Sequence, residues 1–143
     1  MELEFALDGA ATDEAYPCDL SHCRFEKGQS AARGSQSAIV VDWAPLVHGI
    51  LSDARSGVPI GILSAKFHNA LVDAIVAVAL RIGEERVVLT GGCFQNKVLT
   101  ERAVRRLERE GFRAYWHQRV PPNDGGIALG QIMAASREAA RVR

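Results

Sequence analysis

The sequence predicts an α/β layered domain, and three observations carry that prediction. Residues 87–92, Val-Val-Leu-Thr-Gly-Gly, form a β-branched apolar run ending in paired glycines, Gly91 and Gly92. That is the pattern of a buried strand whose turn lets the backbone approach a ligand closely. Apolar residues also recur at helical spacing through Ile62, Ala65, Phe67, Leu71, Ala74, Ile75, Val78 and Ala79, which marks a helix from Gly61 to Ile82. Finally, the order strand, helix, strand through residues 87–117 is a βαβ unit, which favours parallel pairing and a layered architecture.

The remaining elements follow in order. Glu2 to Leu7 reads as a short helix or the tail of a longer one, and Gly9 to Gly34 is polar, glycine-bearing and without sustained period, a long loop or insertion. This divides the chain into residues 1–35, a helix remnant and loop, and 36–143, the lobe proper. Ser37 to Trp43 is a short strand, with Asp42 placed to cap a helix running from Trp43 to Arg55. Pro45 falls in the first turn of that helix, where a missing N–H costs nothing. Gly83 stops the long helix, and Arg86 to Leu89 begins the buried strand.

A further helix covers Asn96 to Glu110. Its Val98, Leu99, Ala103, Val104 and Leu107 share one face, and Arg102, Arg105, Arg106 and Arg109 lie mainly on the other, a solvated face rather than a phosphate patch. Gly111 ends it, Phe112 to His117 alternates as a strand, and Ile127 to Ala140 is an alanine-rich amphipathic helix.

Composition narrows the function classes. At 143 residues, with 48% hydrophobic and 24% charged residues, the chain can bury one ordinary core. Seventeen basic residues balance seventeen acidic ones, so no global field draws in nucleic acid or an anionic membrane. Apolar stretches such as Ala74 to Leu80 are shorter than the roughly 20 residues of a membrane span, and the N-terminus carries acids rather than a signal peptide's bases. The expectation is a cytoplasmic protein. Three cysteines do not make a disulfide scaffold, and Cys18 and Cys23 with His22 lack the remaining ligand pair of a structural zinc site.

In an open parallel sheet, ligands sit beyond the carboxyl ends of strands. Gly91, Gly92 and Asn96 lie at such a point. Backbone N–H groups of the glycine turn can receive phosphate oxygens or let a nucleoside lie flat against the main chain; Asn96 offers a donor and an acceptor, or simply caps the following helix. Asp124, beside Gly125 and Gly126, is either the cap of the last helix or a carboxylate for a divalent metal at the same sheet edge. Neither the Gly-x-Gly-x-x-Gly fingerprint nor the phosphate-loop motif occurs. Cys93 has no base specified nearby and reads as a small packing residue, His68 as a partner-satisfied structural histidine, and His48, Trp43 and Trp116 as packing or edge residues.

Three runs carry a family resemblance: Ala65-Lys66-Phe67-His68-Asn69-Ala70-Leu71, Thr90-Gly91-Gly92-Cys93-Phe94-Gln95-Asn96, and Pro121 through Gln131. In order and spacing they resemble the C-terminal end of the hydrogenase maturation carbamoyltransferase family HypF, over about residues 36 to 143. The resemblance implies the second lobe of a Kae1-like domain with the actin and sugar-kinase (ASKHA) fold. It implies ATP as substrate, with Gly91, Gly92 and Asn96 on the nucleotide, and Asp124 as a ligand to a divalent metal (iron, zinc or magnesium). It further implies carbamoyl adenylate formed from carbamoyl phosphate and ATP, and transfer to the C-terminal cysteine of a HypE-like acceptor. The first-lobe His-x3-His metal ligands, the glycine and acidic residues that help hold the ribose, and the acylphosphatase, zinc-finger and YrdC-like domains have no counterpart in these residues. The expectation is therefore a partial catalytic domain, inactive alone, completed by upstream parts in cis or in trans. The face that such parts would cover makes a homo-oligomer a further expectation.

Overall fold

A computed structural model describes residues 2–7, 9–24 and 37–141. The chain forms two compact units, Met1–Glu84 and Glu85–Arg143. The first unit contains α1 (Glu2–Phe5), β1 (Asp19–Arg24), β2 (Ser37–Asp42), α2 (Ala44–Arg55) and α3 (Ile60–Ile82). The second contains β3 (Arg86–Leu89), α4 (Lys97–Arg109), β4 (Arg113–Trp116) and α5 (Ile127–Arg141), with short 3-10 turns at Gly92–Gln95 and Asp124–Gly126.

In the first unit the expected loop from Gly9 to Gly34 contains a strand. β1 pairs antiparallel with β2, placing Leu20 opposite Val41 and Ser21 opposite Val40. Its six residues lack a clear apolar alternation, so the partner strand rather than local pattern creates it. Cys18 packs half-buried beside Tyr16, Leu46 and Ala70, and burial first, then Asp19, Asp73 and Asp42, push its thiol pKa up. The side chains of His22 and Cys23 lie outside the described residues.

The N-cap position of α2 falls on Trp43, which makes no side-chain cap, rather than on Asp42; Asp42, one residue earlier, accepts a 2.9 Å hydrogen bond from the Ala44 N–H, and Pro45 lies in the first turn. α3 ends at Gly83, whose φ of 75° is the left-handed geometry of a helix stop. By length and composition alone α3 could cross a membrane. Here it is the core helix of its unit, burying Ser64, Ala65, His68, Ala70, Val72, Ala74, Val76 and Ala79. Only Ala65, Ala74 and Ala79 of the apolar stripe read from the sequence belong to that set; Ile62, Phe67, Leu71, Ile75 and Val78 are half-buried, and the full burial falls instead on positions such as Ala70, Val72 and Val76. His68 is 1% exposed and gives its Nδ1 proton to the Ser64 carbonyl at 2.8 Å, as a structural histidine does.

The Lys66 to Asn69 stretch fastens the segment that precedes β1. Asn69 Nδ2 donates to the carbonyls of Thr12 and Glu14, both at 2.8 Å. Lys66 Nζ lies 2.8 Å from Asp53 Oδ2 and 3.1 Å from Glu14, and 5.0 Å from the centre of the Tyr16 ring. The Tyr16 hydroxyl donates to the same Asp53 oxygen at 2.9 Å. Hydrogen bonds from Lys66 and then Tyr16 hold the Asp53 carboxyl below its ordinary pKa, and Asp53 in turn holds the Lys66 ammonium above its own. Burial, followed by Asp53, pushes the Tyr16 phenol up to about 12.

In the second unit β3 and β4 pair in parallel, as the βαβ reading requires, with Val88 opposite Tyr115 and Leu89 opposite Trp116. α4 buries Leu99, Thr100, Ala103, Val104 and Leu107, and packs on β4. Its arginine face carries exposed ion pairs, Arg105 to Glu101 at 3.7 Å and Arg106 to Glu110 at 4.0 Å, as a solvated face does. β3 departs from the buried strand read in the sequence. Leu89 is buried, but Val88 on the opposite face is 65% exposed and its neighbour Tyr115 is 44% exposed. A two-stranded sheet with cover on one face leaves the other open. α5 forms where expected, but none of its described residues is buried.

Two outcomes follow. A Cβ at Gly49, within α2, would lie 2.6 Å from the Tyr16 ring. Gly49→Ala should therefore destabilise the first unit by about 1–3 kcal/mol despite alanine's better helix propensity, measured by denaturant unfolding. In a Tyr115→Phe chain the remaining tyrosine should ionise near 12 by phenolate absorbance. The raised Tyr16 value is a stability contribution present below the ordinary phenol value of 10.0, and it should vanish as pH rises toward 12. The lowered Asp53 value acts at the other end: its contribution is present above 3.8 and disappears as acid titrates the folded carboxylate.

Candidate functional site

The parallel register sets the geometry of the site. One residue beyond the paired ends Leu89 and Trp116 stand Thr90 and His117, with Thr90 Oγ1 3.1 Å from His117 Nε2. Gly91 follows with φ 107° and ψ 160°, a conformation that a side-chain-bearing residue rarely adopts. Its N–H donates to the Pro122 carbonyl at 2.9 Å, which fastens the β3 turn to the loop after β4. No atom lies within 4 Å of where a Gly91 Cβ would stand, and at Gly92 the nearest is Asn123 Cβ, at 3.9 Å. The main chain of both glycines is therefore open to close approach.

Asn96 ends the 3-10 turn and caps α4, its Oδ1 accepting the Leu99 N–H at 2.8 Å. The Thr100 hydroxyl sits 3.0 Å from the Phe94 carbonyl and 2.9 Å from that of Asn96, and supports the turn from below. On the other loop the cap is Asn123, not Asp124: Asn123 Oδ1 accepts from the Gly125 N–H at 3.1 Å. A Cβ on Gly126 would lie 2.7 Å from the Pro121 carbonyl oxygen, so this tight loop needs glycine there. Asp124 is left exposed beside the β3 turn rather than engaged as a cap.

The structure thus brings Gly91, Gly92 and the Asp124 loop to one sheet edge, and gives Asn96 its capping role. In this structure the Gly91 N–H is held by the Pro122 carbonyl, while the Gly92 main chain stays open. Cys93 is exposed, and no hydrogen bond or ion pair joins its thiol to a base among the described residues. Those residues hold no group of three or more His, Cys, Asp or Glu side chains able to bind a metal. Asp124 can supply one donor, but this donor set does not make a metal centre by itself. Sequence reading missed Thr90 and His117. Their signal is positional, since each is the first residue past strands paired in parallel.

The sequence pattern described as "Carbamoyltransferase, Kae1-like Domain, second subdomain" matches residues 1–131, and so extends to the residues before 36 that lay outside the resemblance. The chain is 37% identical over 132 residues to the carbamoyltransferase HypF of Synechocystis sp., covering 92% of this chain and 15% of that protein. It is 41% identical over 71 residues to the probable carbamoyltransferase HypF of Methanocaldococcus jannaschii, covering 47% of this chain and 9% of the relative. A crystal structure of full-length HypF in the phosphate- and nucleotide-bound form superposes with a TM-score of 0.77 and 33% identity, over 95% of this chain and 17% of that one. The match thus spans about a sixth of the Synechocystis protein and of the solved structure, and less of the Methanocaldococcus protein. With that match across nearly its whole extent, the chain belongs to the HypF carbamoyltransferase family and corresponds to the second subdomain of its Kae1-like domain.

Proposed function

We propose that this chain is the nucleotide- and metal-binding lobe of a HypF-type carbamoyltransferase acting in cytoplasmic [NiFe]-hydrogenase maturation. One observation carries the reading. The Gly91 to Pro122 hydrogen bond holds an open glycine backbone and the Asp124 loop at one strand edge, where a nucleoside can lie against the main chain and its phosphates can meet a metal. The name of the solved relative, phosphate- and nucleotide-bound, is consistent with a nucleotide there.

In this reading Gly91 and Gly92 contact ATP through their exposed backbone, Asn96 orients the nucleoside from the start of α4, and Asp124 donates one ligand to a divalent metal. The metal would offset phosphate charge when bound. The reaction of the complete enzyme would form carbamoyl adenylate from carbamoyl phosphate and ATP. A HypE-like acceptor's cysteine thiolate would then attack the carbamoyl carbon, forming a C–S bond as the C–O bond to AMP breaks and AMP leaves with the electron pair. Such a site needs a second wall to exclude water and supply the other metal ligands, so it is completed by upstream parts in cis or in trans. A second reading, a non-catalytic interaction module, is favoured by the exposed Val88 and Tyr115 on one sheet face and by an α5 without a buried residue. Self-association through those surfaces would fit either reading.

Titration of isotope-labelled chain with ATP, with and without a divalent metal, should move the amides of Gly91, Gly92 and Asn96. Asn96→Ser keeps a capping hydroxyl and Asn96→Ala does not; both should lose the nucleotide response, but only the alanine variant should lose about 1 kcal/mol of stability. Asp124→Asn should abolish the metal dependence while nucleotide shifts remain. A folded spectrum unmoved by millimolar ATP would mean that the completing parts supply essential contacts or that the chain is the interaction module, and adding the upstream half in trans would separate the two. Mixed with ATP, carbamoyl phosphate and acceptor, the chain alone should show no turnover above background, and robust turnover would overturn the completed-site requirement.

A further inference from the structure

The committed Gly91 N–H raises a chemical question, since an anionic group at this edge must take its hydrogen bonds from another donor. Asp124 cannot supply one, because an exposed carboxylate repels an anion unless a cation intervenes. Asn96 Oδ1 is an acceptor already engaged with Leu99. Besides the Asn96 amide nitrogen and the Gly92 main chain, Thr90 and His117 bring hydroxyl and ring donors to this edge. Both are exposed, both stand at the carboxyl ends of the paired strands, and they flank the two loops that carry Gly91 and Asp124.

We infer that Thr90 and His117 form the anion-facing pair of this site and take the phosphate oxygens of a bound nucleotide; the inference rests on the nucleotide-binding reading above. Hydrogen-bond counting supports it. If the Thr90 hydroxyl donates to His117 Nε2, the imidazole carries its proton on Nδ1 and can give it outward. If Nε2 donates to Thr90 Oγ1, the Thr90 O–H can turn outward. In either arrangement the 3.1 Å pair keeps at least one donor for a ligand, and the mutual bond fixes where that donor stands. Pre-positioned donors at a strand edge bind an oxyanion without the ordering penalty of a long flexible cation such as Arg119, two residues beyond His117.

The test is nuclear magnetic resonance of the whole chain, reading backbone amides and histidine ring nitrogens, with ATP, adenosine and inorganic phosphate as separate ligands. ATP should move the His117 ring signals and the Thr90 amide, while adenosine should move Gly91 and Gly92 and leave the His117 ring in place. His117→Ala and Thr90→Val should each weaken ATP about tenfold with adenosine affinity unchanged. His117→Gln, which returns a polar amide near the Nε2 position, should recover most of that loss, and Arg119→Gln should have little effect. Inorganic phosphate moving the His117 ring would identify a free oxyanion site; phosphate failing where ATP succeeds would identify one anchored by the nucleoside, and both outcomes support the pair. ATP binding with an unmoved His117 ring, or equal losses for ATP and adenosine in the variants, would overturn this inference and leave nucleotide binding standing. Wild-type chain that binds neither ATP nor adenosine, alone or with the upstream half in trans, would overturn both.

Discussion

The parallel pairing of β3 with β4 is the constraint on which the candidate site depends. Parallel strands emerge on the same edge, so the residues after Leu89 and those after Trp116 leave the sheet side by side although more than twenty positions separate them in sequence. α4 makes the crossing possible, and its buried Leu99, Ala103, Val104 and Leu107 hold it in place. From that geometry follow the Thr90 to His117 contact and the Gly91 to Pro122 hydrogen bond. The second bond has a double effect: it aligns two loops at one edge and removes from the glycine turn a donor that an isolated turn would offer.

The first unit is organised around a different physical problem, how to hold an irregular segment against two helices. Tyr16 is buried in a niche that exists because Gly49 has no side chain, and its hydroxyl shares Asp53 with Lys66. Asn69 satisfies two loop carbonyls that would otherwise have no intrahelical or sheet partner. The run from Ala65 to Leu71, distinctive as a string of letters, thus contains a buried alanine, a charge anchor, a buried histidine and a loop clamp. Each of these side chains has a scaffolding role in the first unit.

The chemistry of the site is that of a half. One carboxylate is too few donors for a divalent cation, which takes four to eight ligands, and the glycine backbone is open on one side. The chain's share of its relatives' length is in keeping with this, at 15% of one and 17% of another. The exposed face around Val88 and Tyr115 and the bare α5 belong to the same picture of surfaces not covered by the described residues.

Much was legible in the chain because local signals agree with one another. Gly83 and Gly111 stop helices, Asn96 starts one, and the apolar period of α4 matches its buried face. Residues 90–96 and 121–131 likewise identify the family and the strand edge where a ligand would sit. Other features depend on partners distant in sequence and left no local mark. β1 exists because β2 lies beside it, the fully buried positions of α3 differ from its apolar stripe because its packing partners decide which side is covered, and β3 is half-exposed because only one face is covered. Asn123 displaces Asp124 as the cap because of the path that the loop takes. By itself the sequence determined the helices, the parallel unit and the family, since these rest on residue type and spacing. Only the tertiary structure decided which donors at the strand edge remain for a ligand, because hydrogen bonds such as that from Gly91 to Pro122 form between loops that no period or motif connects.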